Sequence, residues 1–157
     1  MAKGTPATVA LTKAGVAFTL HQYDYDPNAA RIGMQAADAL GVDPARLLKT
    51  LMAKAGGAVV CVLVRSDAEV NLKKLAAAAG TKDAAMLPPA EAERITGYHV
   101  GGISPFGQKK RARVFIDDAA LAHASIIVNG GRRGLQIELA PADLTRVLDA
   151  TPAALVA

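Results

Sequence analysis

The chain has 157 residues, of which 18 are Lys or Arg and 14 are Asp or Glu, so its formal net charge is +4. With 52% hydrophobic and 20% charged residues, it is too apolar for a disordered protein and too regularly interrupted by charge for membrane spans. These values predict one globular domain over residues 1–157, with a mild preference for anionic partners.

The apolar periodicity and the positions of Gly and Pro predict a mixed α/β chain. In chain order we expect a helix opened by Thr5-Pro6 and ended by Gly15, a strand at 17–22, a helix at 32–40, strands at 47–53 and 58–64, helices at 72–79 and 88–96, strands at 113–116, 125–128 and 135–139, and a last helix from Pro141. Some strands are linked by hairpins and others by helices. This order favours a mixed arrangement around one curved sheet over a doubly wound sheet.

The single cysteine and the N-terminus predict a cytoplasmic location. Cys61 lies in the apolar run 59–64, so it has no internal disulfide partner and we expect a buried thiol. Residues 1–6 carry one charged side chain and no apolar segment follows them, which is not the pattern of a secretory signal.

Standard nucleophile, nucleotide and metal motifs do not fit this sequence. Ser104 is followed by Pro105, which has no backbone N–H to donate, and the second Gly of a nucleophile elbow is absent. Gln108 stands where a phosphate-binding loop needs Lys. The three histidines, His21, His99 and His123, lack the spacing of metal ligands. We therefore expect no metal site.

Lys49 is the most informative residue of the pattern. Strand alternation places it on the same face as Leu47 and Leu51, where an apolar side chain is expected. Burying an ammonium costs several kcal/mol unless it is paired or faces a ligand. Two interpretations remain: a lysine that extends from a strand edge to solvent, or a cationic anchor for a phosphate or carbonyl.

Two glycine pairs suggest loops that approach a ligand. Gly101-Gly102 permits an oxyanion-binding concavity of N–H groups, or a tight turn that needs positive φ. Asn129-Gly130-Gly131 is a second such loop or a hairpin turn.

An acid-free interval runs between Glu93 and Asp117 and predicts a basic patch. The cations that follow the Gly-Gly loop in this interval are candidates for binding an anionic partner: Lys109, Lys110, Arg111 and Arg113.

The chain resembles the YbaK-type aminoacyl-tRNA deacylases, which are related to the editing domain of bacterial prolyl-tRNA synthetases. The resemblance spans nearly the whole chain and is carried, in order, by His21-Gln22-Tyr23 with Asp26-Pro27, Leu48-Lys49-Thr50-Leu51, Leu72-Lys73-Lys74-Leu75, residues 97–105 with 107–110, and residues 130–135 with 137–139. It implies a single α/β domain with a curved, barrel-like mixed sheet and surrounding helices. The implied activity is clearance of mischarged Cys-tRNA(Pro) and Cys-tRNA(Cys).

The resemblance also implies roles for individual residues. Lys49, Gly101 and Gly102 match catalytic positions. The implied substrate-binding set is Tyr23, Ile32, Thr50, Ser104, Asn129, Gly130 and Gln136. No enzyme nucleophile and no cofactor are implied: the thiol of the substrate's cysteine attacks its own ester carbonyl and expels the tRNA, so the reaction is a hydrolytic deacylation or a lyase-like cyclisation.

Partners and specificity follow from the same resemblance. The implied partners are aminoacyl-tRNA and prolyl-tRNA synthetase, with no membrane and no metal. We expect the tRNA phosphates to be bound by the four cations of the acid-free interval: Lys109, Lys110, Arg111 and Arg113. Asn129 stands where such enzymes usually have Ser, and Gln136 where they usually have Asp. Two alternatives therefore stay open: a deacylase for Ala-tRNA or another small aminoacyl-tRNA that uses water, and a non-catalytic module that binds tRNA or a synthetase.

Overall fold

The computed structural model describes residues 4–29 and 34–157 and shows a mixed α/β fold. Its elements in chain order are α1 (Pro6–Lys13), β1 (Thr19–Gln22), α2 (Gln35–Leu40), β2 (Leu48–Ala55), β3 (Ala58–Arg65), α3 (Leu72–Ala79), β4 (Ala84–Met86), α4 (Pro89–Thr96), β5 (Arg113–Asp117), a 3-10 helix (Asp118–Ala122), β6 (Ile126–Asn129), β7 (Leu135–Leu139), α5 (Pro141–Leu148) and β8 (Thr151–Ala153). The predicted fold class is confirmed.

The strands form two sheets that meet at one point. The three-stranded sheet has the order β1-β7-β6 and is antiparallel. The five-stranded sheet has the order β4-β2-β3-β5-β8 and is mixed, since β3/β5 and β5/β8 are parallel. A parallel bridge between Leu47 and Ile127 joins them where β2 begins. Within the part of the chain that the structure describes, no strand pairing closes the sheets into a barrel.

Local signals explain why several elements begin and end where the sequence predicts. Thr5 and Thr8 form a reciprocal capping box at the start of α1, in which each hydroxyl accepts the backbone N–H of the other residue. The Asn71 side chain caps α3 by accepting the N–H of Lys74, and Gly80 ends that helix at φ 74°. Gly lacks the Cβ that penalises this left-handed conformation.

The β2–β3 hairpin forms the centre of the larger sheet and is buried on both faces. Gly56 and Gly57 make its two-residue turn with φ values of 56° and 90°, as a type I′ turn requires. One face of β2 packs Leu48 and Met52 into the main core, and the other packs Leu51, Ala53 and Ala55 into a second core with α3.

The Cys61 thiol is fully buried, as predicted. It belongs to the main core, on the face of the larger sheet that also carries Met52. Burial raises the pKa of this thiol to about 12, so it stays protonated and unreactive in the folded protein.

Three short elements are absent from the sequence-based prediction: β4, β8 and the 3-10 helix. The two strands are three residues long, too short for an alternating pattern to show. Tertiary contacts hold them instead; next to β8, for example, Asp117 Oδ1 accepts the N–H of Leu155 at 3.0 Å.

A polar cluster around Glu138 holds the smaller sheet. The Glu138 carboxylate accepts hydrogen bonds from the Ser125 hydroxyl and from Arg46, and it lies 2.7 Å from His21 Nε2. The bond from Ser125, followed by the contacts with His21 and Arg46, lowers the pKa of Glu138 below its usual value of 4.5. A helix long and apolar enough to cross a membrane does not occur among the described residues.

Candidate functional site

A cavity of about 320 Å³ opens beside the first half of β2. β4 pairs with β2 at Ala53, Lys54 and Ala55, so in the described structure the residues of β2 before Met52 have no strand partner on that side. The space is closed instead by α4, by the Gly101 loop and by the ends of β6 and β7. Its apolar wall includes Leu48, Met52, Met86, Leu87, Ala92 and Ile103.

Six of the predicted site residues line this cavity: Tyr23, Lys49, Thr50, Gly101, Asn129 and Gln136. They come from β2, from the segment after β1, from the Gly101 loop, and from β6 and β7. Residues that are distant in the chain therefore meet at one place. Ile32 lies outside the described residues.

The Lys49 ammonium lies at the rim of the cavity, and among the residues that the structure describes it has one weak partner. Its side chain is 25% exposed, and Nζ lies 3.4 Å from Oε1 of Glu69, whose side chain is 90% exposed. Such an exposed pair contributes little to stability, because solvent screens it and two long side chains must be ordered. A ligand carbonyl or phosphate can replace Glu69 at small cost.

Thr50 and Gln136 present polar atoms that no described residue satisfies. Thr50 Oγ1 and Gln136 Oε1 are both buried, and neither has a hydrogen-bond partner in the described part of the chain. Leaving a buried polar atom without a partner costs about 1–3 kcal/mol. Since both residues line the cavity, these oxygens are available to a ligand that brings hydrogen-bond donors.

Tyr23 supplies a neutral hydroxyl beside Gln136. Burial, reinforced by the neighbouring Tyr25, raises the pKa of Tyr23, while hydrogen bonds with the Gln136 side chain and the Gly134 backbone oppose that rise. The phenol is therefore protonated at neutral pH, and it can donate or accept a hydrogen bond but not act as a base.

Gly101 and Gly102 form a tight turn rather than a pair of free donors. The Gly102 N–H donates to the His99 carbonyl at 2.8 Å, and Gly101 has φ 90°, which is the third position of a type II turn. Gly102 is buried and does not line the cavity, and its N–H is already used. Of the two interpretations of this glycine pair, the structure shows the tight turn, and the predicted contact of the Gly102 backbone with substrate stays a prediction.

Gly102 is needed for the approach of the second glycine loop. A Cβ at this position would come within 2.8 Å of Arg132 Cα. The two loops therefore pack backbone against backbone, which only glycine allows here.

Asn129 ties the two glycine loops together across the cavity. Its Nδ2 donates to the Gly101 carbonyl at 3.1 Å, and its Oδ1 accepts the Gly131 N–H at 2.7 Å. Both ends of the amide are thus engaged by the protein. Asn129 therefore sets the shape of the cavity wall and keeps one N–H and one carbonyl lone pair for a ligand.

Ser104 and Gly130, predicted to bind substrate, do not line the cavity. Ser104 is fully buried, and its Oγ accepts the Phe106 N–H at 3.2 Å. Gly130 donates to the Leu135 carbonyl and accepts from the Thr5 hydroxyl. In this structure both residues support the loops, and their predicted role in substrate binding stays a prediction.

The four predicted tRNA-binding cations contact different elements of the fold. The Lys109 and Lys110 amides donate to Thr96 and Ile95 at the end of α4, about one helical turn, or ~5 Å, beyond the cavity-lining Ala92. They are exposed on this side of the molecule.

Arg111 and Arg113 lie elsewhere. Arg111 lines a second cavity of about 230 Å³ between α1, β5 and α5. Arg113 pairs with Val60 and stacks over Phe115 at 4.5 Å, beside the second core that α3 covers. These two arginines thus contact other parts of the fold than Lys109 and Lys110, and tRNA binding by the four cations stays a prediction.

Tyr25 and Met86 line the cavity but were missed from the sequence. Tyr25 follows Tyr23 by two residues, and that spacing places both side chains on one side of an extended segment. Met86 lies in the short strand β4, for which the sequence gives no pattern. In the described part of the chain, no group of three or more His, Cys, Asp or Glu side chains is arranged to hold a metal ion.

This arrangement defines a small, largely apolar cavity with a cation at its rim and no histidine or cysteine among its described lining residues. The family model for the aminoacyl-tRNA editing domain matches residues 26–147, and the chain belongs to that family. The resemblance drawn from the sequence is thereby confirmed.

Several known proteins are similar to this chain. EbsC of Enterococcus faecalis, which carries the name of a Cys-tRNA(Pro)/Cys-tRNA(Cys) deacylase, is 43% identical over 107 residues, which cover 67% of this chain and 65% of that protein. The proline–tRNA ligase of Caldicellulosiruptor bescii is 39% identical over 83 residues, or 53% of this chain and 14% of the ligase.

A solved structure described as a trans-editing enzyme for prolyl tRNA synthetase has the same fold. Its TM-score is 0.84 at 22% identity, and the match covers 97% of this chain and 95% of that one. The structural match covers 95% of a separate protein, whereas the sequence match covers 14% of the ligase. Relatives of this chain therefore occur both as separate proteins and as part of a synthetase.

Proposed function

We propose that this protein is an aminoacyl-tRNA deacylase that acts in trans on mischarged Cys-tRNA(Pro) and Cys-tRNA(Cys), as one editing domain over residues 1–157. The observation that carries the proposal is the cavity itself, which is lined by Lys49 and by Thr50 and Gln136, whose buried oxygens are unsatisfied within the described residues. Membership of the editing-domain family and the name of the Enterococcus relative support the substrate class. We place the protein in the cytoplasm, in contact with prolyl-tRNA synthetase.

The size of the cavity suits a small aminoacyl group. A volume of about 320 Å³ is at the lower end of ligand pockets, which span roughly 300–1,000 Å³. The apolar wall formed by Leu48, Met52 and Leu87 accommodates a short side chain, and the polar atoms gather near Lys49 and Gln136. The acceptor stem of the tRNA then remains outside.

The chemistry uses the substrate's own thiol because the described cavity wall supplies no activated nucleophile. Ser66 lines the cavity, but its hydroxyl donates to the Pro44 carbonyl at 3.0 Å. The cysteinyl sulfur attacks the ester carbonyl, a carbon–sulfur bond forms, and the carbon–oxygen bond to the ribose breaks. The proton lost by the thiol ends on the ribose oxygen, and water then opens the cyclic thioester to free cysteine.

In this scheme the protein contributes charge and orientation. The Lys49 ammonium stabilises the negative charge that develops on the carbonyl oxygen. Thr50 and Gln136 accept hydrogen bonds from the substrate and hold it in a conformation that can cyclise. The neutral Tyr23 hydroxyl completes the polar wall.

A second candidate is a deacylase for Ala-tRNA or another small aminoacyl-tRNA, in which water attacks the ester. The observation that favours it is the same pair of unsatisfied oxygens, because Thr50 Oγ1 and Gln136 Oε1 could hold and orient a water molecule. A thiol in the substrate is then unnecessary.

A panel of mischarged tRNAs distinguishes these functions. We expect rapid deacylation of Cys-tRNA(Pro) and much slower deacylation of Ser-tRNA(Pro), since a hydroxyl is far less ionised than a thiol near neutral pH. Equal rates for Cys, Ser and Ala would contradict thiol attack and favour the water mechanism. Binding of tRNA without deacylation of any ester would show a non-catalytic module.

A further inference from the structure

We propose that Arg133 forms a phosphate subsite at the mouth of the cavity and binds the phosphate that joins the terminal adenosine to the acceptor strand. The proposal rests on the function proposed above and adds a residue to its substrate-binding set. Arg133 is exposed and follows the second glycine loop, next to Arg132.

The Arg133 guanidinium is fixed over the rim of the cavity by two contacts. Its Nε donates to the Val100 carbonyl at 3.0 Å, and its central carbon lies 5.1 Å from the centre of the Tyr25 ring. Val100 and Tyr25 both line the cavity. Gly101 makes room for this position, because a Cβ there would come within 2.9 Å of Arg133 Nε.

The positive charge of Arg133 is not neutralised by any described residue. Arg46, Arg65, Arg94 and Arg146 each lie within 4.0 Å of a carboxylate oxygen. Within residues 4–29 and 34–157, Arg133 has no carboxylate at that distance, and one of its five N–H groups is used by Val100. The terminal nitrogens therefore keep their donors for an anion.

The position and chemistry of this group fit a phosphate of the substrate. A planar guanidinium binds two phosphate oxygens at once, and stacking on Tyr25 reduces the entropy lost when it does so. The small, largely apolar cavity takes the aminoacyl end, so the phosphate on the 5′ oxygen of the terminal adenosine lies at its mouth. Lys109 and Lys110 lie one helical turn beyond the cavity-lining Ala92 and would bind phosphates further along the acceptor strand.

The test uses two esters that differ by this one phosphate: 3′-O-cysteinyl adenosine and the same ester on adenosine 5′-monophosphate. For the wild type we expect kcat/KM to be about tenfold higher with the phosphate-bearing ester, the effect of one charge-assisted hydrogen-bond pair at an exposed site. In Arg133→Gln the ratio of the two values should fall towards one. Arg133→Lys should keep part of the wild-type ratio, since lysine keeps the positive charge but cannot bind two phosphate oxygens at once as a guanidinium does.

The control variant is Lys73→Gln, which removes the same charge from the exposed side of α3 and should keep the wild-type ratio. If Arg133 only held Val100 and Tyr25 in place, Arg133→Gln would slow both esters by the same factor. That result, or a wild-type ratio in Arg133→Gln, would overturn the proposal.

Binding separates this proposal from the proposed function. If the wild type cleaves neither ester, the deacylase assignment fails. The phosphate subsite is then tested by NMR titration, which compares the affinities of the protein for adenosine 5′-monophosphate and for adenosine. We expect the wild type to bind the monophosphate more tightly and Arg133→Gln to bind both alike. Equal affinities in the wild type would reject the phosphate subsite.

Discussion

Replacing Gly102 by alanine tests whether the two glycine loops are held by direct backbone packing. The added Cβ would lie 2.8 Å from Arg132 Cα, and 2.9 Å from both Arg132 C and Arg133 N. Ordinary contacts of this kind begin at about 3.4 Å, so the loops must separate by roughly 0.6 Å. All three atoms belong to the backbone, and no flexible side chain can move aside.

We expect Gly102→Ala to destabilise the protein by about 2 kcal/mol, within the ~1–3 kcal/mol typical of overpacking. For a domain of this size that corresponds to a fall in Tm of about 4–8 °C. The effect is steric, since Gly102 does not have a positive φ. We also expect kcat/KM to fall by more than the loss of folded protein accounts for, because Gly101 and Arg133 would move with the loops.

The measurement is thermal unfolding together with kcat/KM for deacylation at a temperature where the variant is folded. Gly4→Ala is the matched control: it adds the same atom, at a site without positive φ, and its nearest contact is a Thr8 side-chain oxygen at 3.3 Å. An unchanged Tm in Gly102→Ala would refute the packing of the two loops described above.

Two further predictions concern charge. Because the folded-state pKa of Glu138 is lowered, its ionised form stabilises the protein above the unfolded pKa, and this contribution is lost as pH falls through the folded pKa. Glu138→Gln should therefore lower Tm at pH 7, with a difference that narrows below pH ~4; a difference independent of pH would contradict this. Replacing Lys109 and Lys110 together by Ala should flatten the dependence of log tRNA affinity on log salt by up to about two phosphate contacts, whereas Arg111→Ala with Arg113→Ala should not. The opposite result would show that Arg111 and Arg113, and not Lys109 and Lys110, bind the tRNA phosphates.

Much of the fold follows from local sequence signals. The Asn71 cap and Gly80 delimit α3, and Gly56-Gly57 closes the β2–β3 hairpin, because each is decided by residues close in the chain. β4 and β8 were missed because their three residues are held by pairing with distant strands. A single sequence contains no trace of that pairing.

The candidate site was predictable to a different extent. Lys49 stands out because a cation interrupts an apolar strand, whereas Thr50 and Gln136 were found by resemblance and look ordinary in the sequence. The burial of Ser104 and the approach of Gly102 to Arg132 depend on contacts between distant segments. The sequence shows such glycines but not what they approach.

The most direct test of the proposed function is single-turnover deacylation of Cys-tRNA(Pro) by Lys49→Ala. We expect the rate to fall about 100–1,000-fold, as when one stabilising donor of an oxyanion is removed. The Tm should stay unchanged, because Glu69, the partner of Lys49 among the described residues, is exposed. Lys54→Ala, an exposed lysine on the same strand that does not line the cavity, should keep the wild-type rate. A Lys49→Ala enzyme as active as the wild type would contradict the role of this cavity in deacylation.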